Sequence, residues 1–239
     1  MEHWFAERTA SFLPNRGETV KLFPMKLTRQ RSLWLLLGLV TVFAGIWSAR
    51  RFQEHWFAIA PRGGEAFTMP ALSTPHYRQH DLRWAEERIG GFGESLGRVG
   101  CTICSLAMAL DYYGVKMPPK ELNEFLKAHE GYNPRGWLRW NSVEKVSGGK
   151  VTLDYMSRPD HAVIDCALRK AQPVLAKVYI SAIIPHWVLI VGKDGQEYLM
   201  RDPLGEANSV DRISDYKSKV YAVRVLQRSQ GSEPPKPSP

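Results

Sequence analysis

Cysteine is scarce in this sequence, since Cys101, Cys104 and Cys166 are the three present among 239 residues. Such a low density excludes a small scaffold held together by disulfides. Because the number is odd, at least one thiol must stay unpaired or take part in chemistry. No second C-x-x-C motif accompanies Cys101 and Cys104, which argues against a structural zinc site.

Long basic runs and phosphate-binding motifs are also missing. The formal net charge is +8, but the lysines and arginines are scattered, and no basic run alternates with aromatic residues. This pattern argues against a nucleic-acid partner. The glycine-rich segment 90–100 lacks the Lys-Ser/Thr ending of a phosphate-binding loop, and no clear strand precedes it. We therefore expect no nucleotide, no other cofactor and no metal ion.

One long apolar run is present near the N-terminus. Residues Ser32–Ala49 carry no charge and have roughly the length that crosses a bilayer. Arg29 and Arg31 precede the run, and Arg50 and Arg51 follow it. Basic residues are more numerous before the run than after it, which favours an N-terminus inside the cell. The sequence thus predicts a single-pass helix in the cell (inner) membrane, with the rest of the chain periplasmic or extracellular.

The apolar run sets the expected division of the chain. Ala58-Ile59-Ala60 resembles a processing site, but it lies well beyond the apolar core and follows two arginines, so an uncleaved anchor is favoured. Met25 is an alternative start, since a signal-like stretch begins there. The tail is rich in Pro and Ser, which is typical of disorder. The predicted segments are a cytoplasmic tail (1–31), a transmembrane or signal-anchor helix (32–49), a linker (50–75), one main domain (76–227) and a disordered tail (228–239).

The main domain contains an apolar helix that begins at a cysteine. Apolar and small residues cover most of the surface of segment 101–113, which is typical of a buried helix. Gly114 provides the C-terminal stop. Unpaired N–H groups and the helix dipole favour thiolate over thiol at Cys101, and the same N–H groups can hold an oxyanion.

The remaining pattern predicts further helices and strands of an α+β domain. Cys166 is predicted as a core residue of its helix, and Asn141 as the cap of a short helix ending at Val146. The predicted helices include 119–128 and 161–172, the second of which contains Cys166. The predicted strands are 151–155, 173–180, 186–191, 198–200 and 220–226.

Turn chemistry predicts a pairing between His186 and Asp202. Lys193-Asp194-Gly195 suits a three-residue hairpin loop with a left-handed glycine in third place. In that register Gly192 lies opposite Gln196, and His186 lies opposite Asp202 on the same face. A two-residue loop would put the two side chains on opposite faces. With Cys101, this pair would form a nucleophile, a base and a group that orients the base.

The ordered set of motifs resembles the bacterial C39-like branch of the papain-like cysteine peptidases, over roughly residues 74–226. The motifs that carry this resemblance are Gln79-x-Asp81-x-x-Trp84, Gly100-Cys101, Ser105-Leu106-Ala107-Met108, Tyr112-Tyr113-Gly114, Pro119, Leu122-Asn123, His186-Trp187-Val188 and Asp202-Pro203.

The resemblance implies a papain-like α+β fold, with the nucleophile helix packed on an antiparallel sheet. It implies Cys101 as nucleophile, His186 as general base and acid, and Asp202 as the orienting residue. Gln79 would be the side-chain donor of the oxyanion hole, together with the N–H of Cys101. The implied substrate is a peptide or protein, while the sequence gives no indication of the oligomeric state.

Two other functions remain open from the sequence. Cys101-Thr102-Ile103-Cys104 is also a C-x-x-C at a helix start, as in thiol–disulfide oxidoreductases. That function leaves His186, Asp202 and Gln79 without a task. A catalytically silent papain-like domain that binds peptides is the second alternative.

Overall fold

The computed structural model describes residues 29–91, 93–155 and 158–229. Most of the predicted cytoplasmic tail and residues 230–239 of the predicted C-terminal tail lie outside these ranges. The chain divides into two compact units, with the boundary between Ala49 and Arg50. Each unit is described by itself.

The first unit holds most of helix α1, Arg29–Phe57. Its segment Ser32–Ala49 has a mean hydropathy of 1.9, and none of it is buried. By length and composition this helix can cross a membrane, although signal sequences share these properties.

The second unit is an α+β domain built on one antiparallel sheet. Its strand order is β1-β6-β2-β3-β4-β5, and all neighbouring strands are antiparallel. Within the described residues, the strands are β1 (Val151–Tyr155), β2 (Val174–Ile180), β3 (Ile184–Asp194), β4 (Glu197–Arg201), β5 (Asp211–Arg212) and β6 (Ala222–Arg228). The helices are α2 (Leu96–Val99), α3 (Cys101–Tyr112), α4 (Pro119–Ala128), α5 (Ser142–Val146), α6 (His161–Arg169) and a 3-10 helix (Ile213–Tyr216).

Alternate residues of the central strands β2 and β3 point into two apolar cores, one on each side of the sheet. Leu175 and Leu189 face the core that contains α3, whereas Ala176 and Val188 face the core that contains α6. Successive side chains of a strand point to opposite faces, so a strand covered on both sides is apolar throughout. This explains why β2 and β3 read as nearly continuous hydrophobic runs.

Helix α3 ends where the sequence predicts. The N–H of Gly114 donates to the carbonyl of Asp111 at 2.8 Å, and the N–H of Val115 donates to that of Leu110 at 3.0 Å. Gly114 has a φ of +81°. This pair of bonds around a left-handed glycine is the Schellman motif, which satisfies the last carbonyls of a helix.

The predicted register of the β3–β4 hairpin is wrong. Gly192 lies opposite Leu199, and Asp194 opposite Glu197, so that the loop has two residues. Gly195, the first of them, has a φ of +61°, which suits the first position of a II′-type turn. The pattern Lys-Asp-Gly fits a three-residue loop equally well, and packing decides between the two.

A bulge in β3 brings the side chains of His186 and Asp202 back to the same face of the sheet, which the two-residue loop alone would not do. The register shifts between Ile190 and Gly192, and beyond it Leu189 lies opposite Arg201. If this register continues by one residue, Asp202 lies opposite Val188. Val188 and His186 are two residues apart on β3 and so share a face of the sheet, which makes it the face of Asp202 as well. One extra residue in one strand moves every later side chain to the other face. The bulge therefore aligns Asp202 with His186.

Two local predictions about helices are also wrong. Cys166 is exposed, because the buried face of α6 is centred on Ile164 and Leu168 and includes Asp165. Cys166 lies roughly 200° around the helix from Ile164. Asn141 occupies the position before α5, but its side chain makes no capping hydrogen bond. Its backbone is already helical, whereas a capping residue is usually extended.

The end of the segment predicted as a linker packs on the sheet as an ordered strap, residues 59–72. Its backbone exchanges hydrogen bonds with β3 between Met69 and Lys193, and Leu72 donates to Val191. Nearer its start, Ile59 pairs with Val220. The strap occupies the edge of β3 beyond the start of β2. It thereby satisfies backbone groups that would otherwise form an open edge.

Candidate active site

The site begins where helix α2 runs directly into helix α3. Gly100 links the two helices, and its N–H donates to the carbonyl of Leu96 at 2.8 Å. A Cβ atom on Gly100 would lie 2.3 Å from that carbonyl oxygen. Only glycine allows this close approach. The tight link fixes Cys101 as the first residue of α3, at the positive end of the helix.

Cys101 is held in surroundings that favour its thiolate. Burial by itself raises the pKa of this thiol, but hydrogen bonds from the His186 ring and the Trp187 N–H outweigh burial and hold the pKa below its ordinary value. Thr102 Oγ1 lies 4.0 Å from the sulfur. The residue as a whole is buried, with 8% exposure. The lowered pKa favours the thiolate, which is the reactive form of cysteine.

His186 connects Cys101 to Asp202. Its Nε2 lies 2.7 Å from Asp202 Oδ1, and the two residues are 2% and 5% exposed. Since Nε2 is taken by the carboxylate, Nδ1 is the ring nitrogen that faces Cys101. Burial lowers the pKa of His186, yet the bonds to Asp202 and Cys101 raise it to about 9. The ring therefore favours the imidazolium form at neutral pH.

Asp202 is ionised and held by several donors. Burial raises its pKa, but hydrogen bonds from His186, Tyr216 and the Leu204 N–H have the larger combined effect and hold the pKa below its ordinary value. The Leu204 N–H donates to Oδ1 at 2.8 Å, and the Tyr216 hydroxyl donates to Oδ2. Its backbone carbonyl accepts from His76 Nε2 at 2.6 Å.

Gln79 lies between the segments that carry Cys101 and Asp202. Its backbone N–H donates to Pro203 O at 2.9 Å, and its side-chain Nε2 donates to Gly97 O at 2.9 Å. The side chain is 4% exposed, and within the described part of the chain Oε1 has no hydrogen-bond partner. One of the two amide hydrogens is thus used at Gly97, four residues before Cys101. The other remains available.

Ser105 fixes α3 against β3 at the level of the site. Its hydroxyl donates to the carbonyl of Trp187 at 3.0 Å. The neighbouring residue His186 and the Trp187 N–H are the groups that contact Cys101. One short side chain thus holds the helix start and the strand at a fixed distance.

The other residue of the C-x-x-C motif has different properties. Cys104 is completely buried, and burial raises the pKa of its thiol well above the ordinary value, helped by the nearby Cys101. The two thiols of the motif therefore differ, since the pKa of Cys101 is lowered and that of Cys104 is raised. Among the described residues, no three His, Cys, Asp or Glu side chains are grouped to hold a metal ion.

Sequence reasoning missed three contributors to this arrangement. Tyr216 lies fourteen residues beyond Asp202 in a short 3-10 helix, and its spacing gives no signal. The Trp187 N–H is a backbone group, which a residue pattern does not reveal. Ser105 belongs to the quoted motifs, and its small hydroxyl side chain at a helix–strand contact was the available clue.

The arrangement can support nucleophilic attack on a carbonyl. A thiol of lowered pKa at a helix N-terminus, an imidazole beside it and a buried carboxylate behind that ring form a nucleophile, an acid–base group and an orienting group. No backbone carbonyl of the described residues accepts a hydrogen bond from the Cys101 N–H. That N–H is therefore free to donate to a developing oxyanion.

Comparison with known proteins supplies the family. A sequence model of the Peptidase_C39 like family matches residues 71–229. Among solved structures, the chain is similar to a crystal structure assigned to a C39-like peptidase of Bacillus anthracis. The identity is 15%, the TM-score is 0.44, and the match covers 69% of this chain and 100% of that chain. No curated protein matches. Because the family model spans well over half of the sequence, this chain belongs to the Peptidase_C39 like family.

Proposed function

We propose that this chain is a papain-like cysteine peptidase that acts through Cys101, His186 and Asp202. One observation carries the proposal: hydrogen bonds run from the buried carboxylate of Asp202 through the imidazole to the thiol at the start of α3. Family membership supports the reaction class. The proposed substrate is a peptide or protein, and no metal or cofactor takes part.

Acylation begins with the thiolate–imidazolium pair. The Cys101 sulfur attacks the carbonyl carbon of the peptide bond, and the electron pair of the C=O bond moves to oxygen. The N–H groups at the start of α3 stabilise this oxyanion. When the C=O bond re-forms, the C–N bond breaks, and His186 gives its Nδ1 proton to the leaving amine. A thioester on Cys101 remains.

Deacylation reverses these roles. Neutral His186 takes a proton from a water molecule, whose oxygen attacks the thioester carbon. Collapse of the second tetrahedral intermediate breaks the C–S bond and restores the thiolate beside the imidazolium. An amine in place of water would give acyl transfer by the same steps. The buried carboxylate of Asp202 keeps the ring in one orientation throughout.

Gln79 is the proposed second donor of the oxyanion hole. Its amide is fixed to Gly97 by one hydrogen, and its backbone is fixed to Pro203. A donor held at both ends has little freedom left to lose on binding, which is the property that electrostatic catalysis requires. We expect Gln79→Ala to reduce turnover without lowering the reactivity of the thiol.

The proposed location is the cell membrane, with the peptidase domain on the outer side. The uncharged segment Ser32–Ala49 and the arginines on both sides of it support a single-pass anchor. Fractionation of cells that make the full chain tests this point. The proposal predicts full-length protein in the membrane fraction, with a domain that is digested by protease added outside the intact cell membrane. A shortened soluble product contradicts it.

A screen that assumes no particular substrate tests the peptidase activity. Purified protein is incubated with a complex peptide mixture, and new peptide termini are counted by mass spectrometry. Cys101→Ala and His186→Ala should abolish new termini. Cys104→Ala is the matched control, because it alters a thiol on the same helix that has no role in the proposed reaction, and it should keep most of the activity.

The same variants separate peptidase from oxidoreductase. Reduction of insulin disulfides is measured in parallel. An oxidoreductase would lose this activity equally in the Cys101 and Cys104 variants, and neither would affect peptide termini. Wild-type protein that produces no new termini over the Cys101→Ala blank would favour the silent peptide-binding domain.

A further inference from the structure

We propose that Tyr216 is a positioning residue of this site, which holds the Asp202 carboxylate in the orientation that aims Oδ1 at His186. The inference rests on the proposed function. Tyr216 is supplied by the 3-10 helix after β5 and belongs to none of the motifs that carry the family resemblance.

The hydrogen bonds of Asp202 divide unevenly between its two oxygens. Oδ1 accepts from both His186 Nε2 and the Leu204 N–H, at 2.7 and 2.8 Å. Oδ2 accepts from the Tyr216 hydroxyl. A carboxylate held only through one oxygen can rotate about its Cβ–Cγ bond, whereas donors on both oxygens fix its plane. Tyr216 is the donor on the second oxygen.

The ring of Tyr216 has a second contact in the site. Its centroid lies 5.5 Å from that of the His186 ring, at an interplanar angle of 50°. One side chain thus touches both members of the His–Asp pair. The aromatic ring limits the approach of water to the imidazole, and limited hydration strengthens the bond between ring and carboxylate.

Tyr216 remains a donor over the working pH range. Burial raises the pKa of its phenol well above the ordinary value, and the bond to Asp202 adds to this effect, with smaller contributions from Cys101 and Asp211. The other titratable groups around Asp202 are His186, which shares Oδ1, and His76, whose ring contacts the Asp202 carbonyl. Tyr216 therefore stays protonated, and so able to donate to the ionised Asp202.

The test measures how Cys101 reacts with iodoacetamide as a function of pH. Alkylation forms an S–C bond and releases iodide, so its rate follows the thiolate fraction. In Tyr216→Phe the ring stays and the hydroxyl is lost. Without a donor on Oδ2 the carboxylate of Asp202 can rotate, and Oδ1 then points at His186 for only part of the time. The imidazolium is stabilised less, so the thiolate forms at higher pH. We expect the acid limb of the rate profile to move to higher pH by up to about one pH unit, the limit set by the whole energy of one hydrogen bond.

Tyr112→Phe is the matched control. Its hydroxyl donates to Ala171 O at 2.8 Å, away from the described site, and its removal should leave the acid limb in place. Circular dichroism and thermal unfolding of both variants check that each is folded. An acid limb of Tyr216→Phe that coincides with that of the wild type overturns the proposal.

A second substitution guards against a folding defect. Incorporating 3-fluorotyrosine at position 216 keeps both the ring and the donating hydroxyl, so the acid limb should stay close to that of the wild type. A limb that moves to higher pH, as in Tyr216→Phe, contradicts the positioning role. Failure of the proposed function has a different signature, because wild-type Cys101 would then show no fast alkylation at neutral pH at all.

Discussion

The charge of Asp202 is predicted to control the protonation of His186. Burial by itself lowers the pKa of this ring below the ordinary value of 6.5, whereas Asp202 and Cys101 together raise it to about 9. A rise of that size corresponds to about 3 kcal/mol. A unit charge about 4 Å away is worth about 4 kcal/mol at an effective dielectric constant near 20, which is the same order.

Two variants separate the contributions of the partners. In Cys101→Ser the thiolate is absent, and Asp202 is the remaining anion that contacts the ring. We expect the pKa of His186 to stay above 6.5 in this protein. In Cys101→Ser with Asp202→Asn, the amide can still accept from Nε2, but the charge is gone and burial dominates. The pKa should then fall below 6.5.

The assay is the pH titration of ¹³C-labelled histidine side chains by NMR. His186→Ala identifies the resonance among the seven histidines. The expected result is a pair of midpoints on opposite sides of 6.5. If His186 titrates at the same pH with and without the Asp202 carboxylate, the account of the pair as an electrostatic unit is refuted.

Two further substitutions test how the site is supported. Lys193 is completely buried, and its ammonium donates to Asp165 and to Gly63 O of the strap. Lys193→Met should lower the free energy of unfolding by about 3 kcal/mol or more, because it leaves the Asp165 carboxylate buried without its partner. The control Arg212→Met removes an ion pair that is half exposed. It should lower the free energy of unfolding, measured by urea titration, by about 1 kcal/mol or less. Equal losses of stability in the two variants would contradict the role of Lys193. Gly100→Ala forces a Cβ to within 2.3 Å of Leu96 O and should slow alkylation of Cys101 at pH 7, whereas Gly45→Ala, with nothing within 4 Å, should not.

Local sequence patterns predicted most of the elements near the site. Pro119 begins α4 and Gly114 ends α3, because proline suits a first helical turn and glycine a left-handed stop. The buried character of α3 followed from its nearly complete apolar surface. These features depend on neighbours in the sequence, and for that reason a single chain reveals them.

Features set by tertiary contacts escaped prediction. Turn chemistry predicts a hairpin loop that is one residue too long, yet the bulge at Val191 brings Asp202 beside His186 all the same. Helical spacing predicts Cys166 in the core, whereas Asp165 faces inward to meet the buried Lys193. A carboxylate turned inward by a distant ammonium leaves no trace in the pattern of its own helix.

The central claim is that Cys101 exists as a thiolate beside an imidazolium at neutral pH. The most direct measurement is the ultraviolet absorbance of the thiolate near neutral pH, taken as the difference between wild type and Cys101→Ala. The account predicts a thiolate signal at pH 7 in the wild type that disappears in His186→Ala and persists in Cys104→Ala. A wild-type signal that emerges only near the ordinary cysteine pKa, or one that survives the loss of His186, would contradict it.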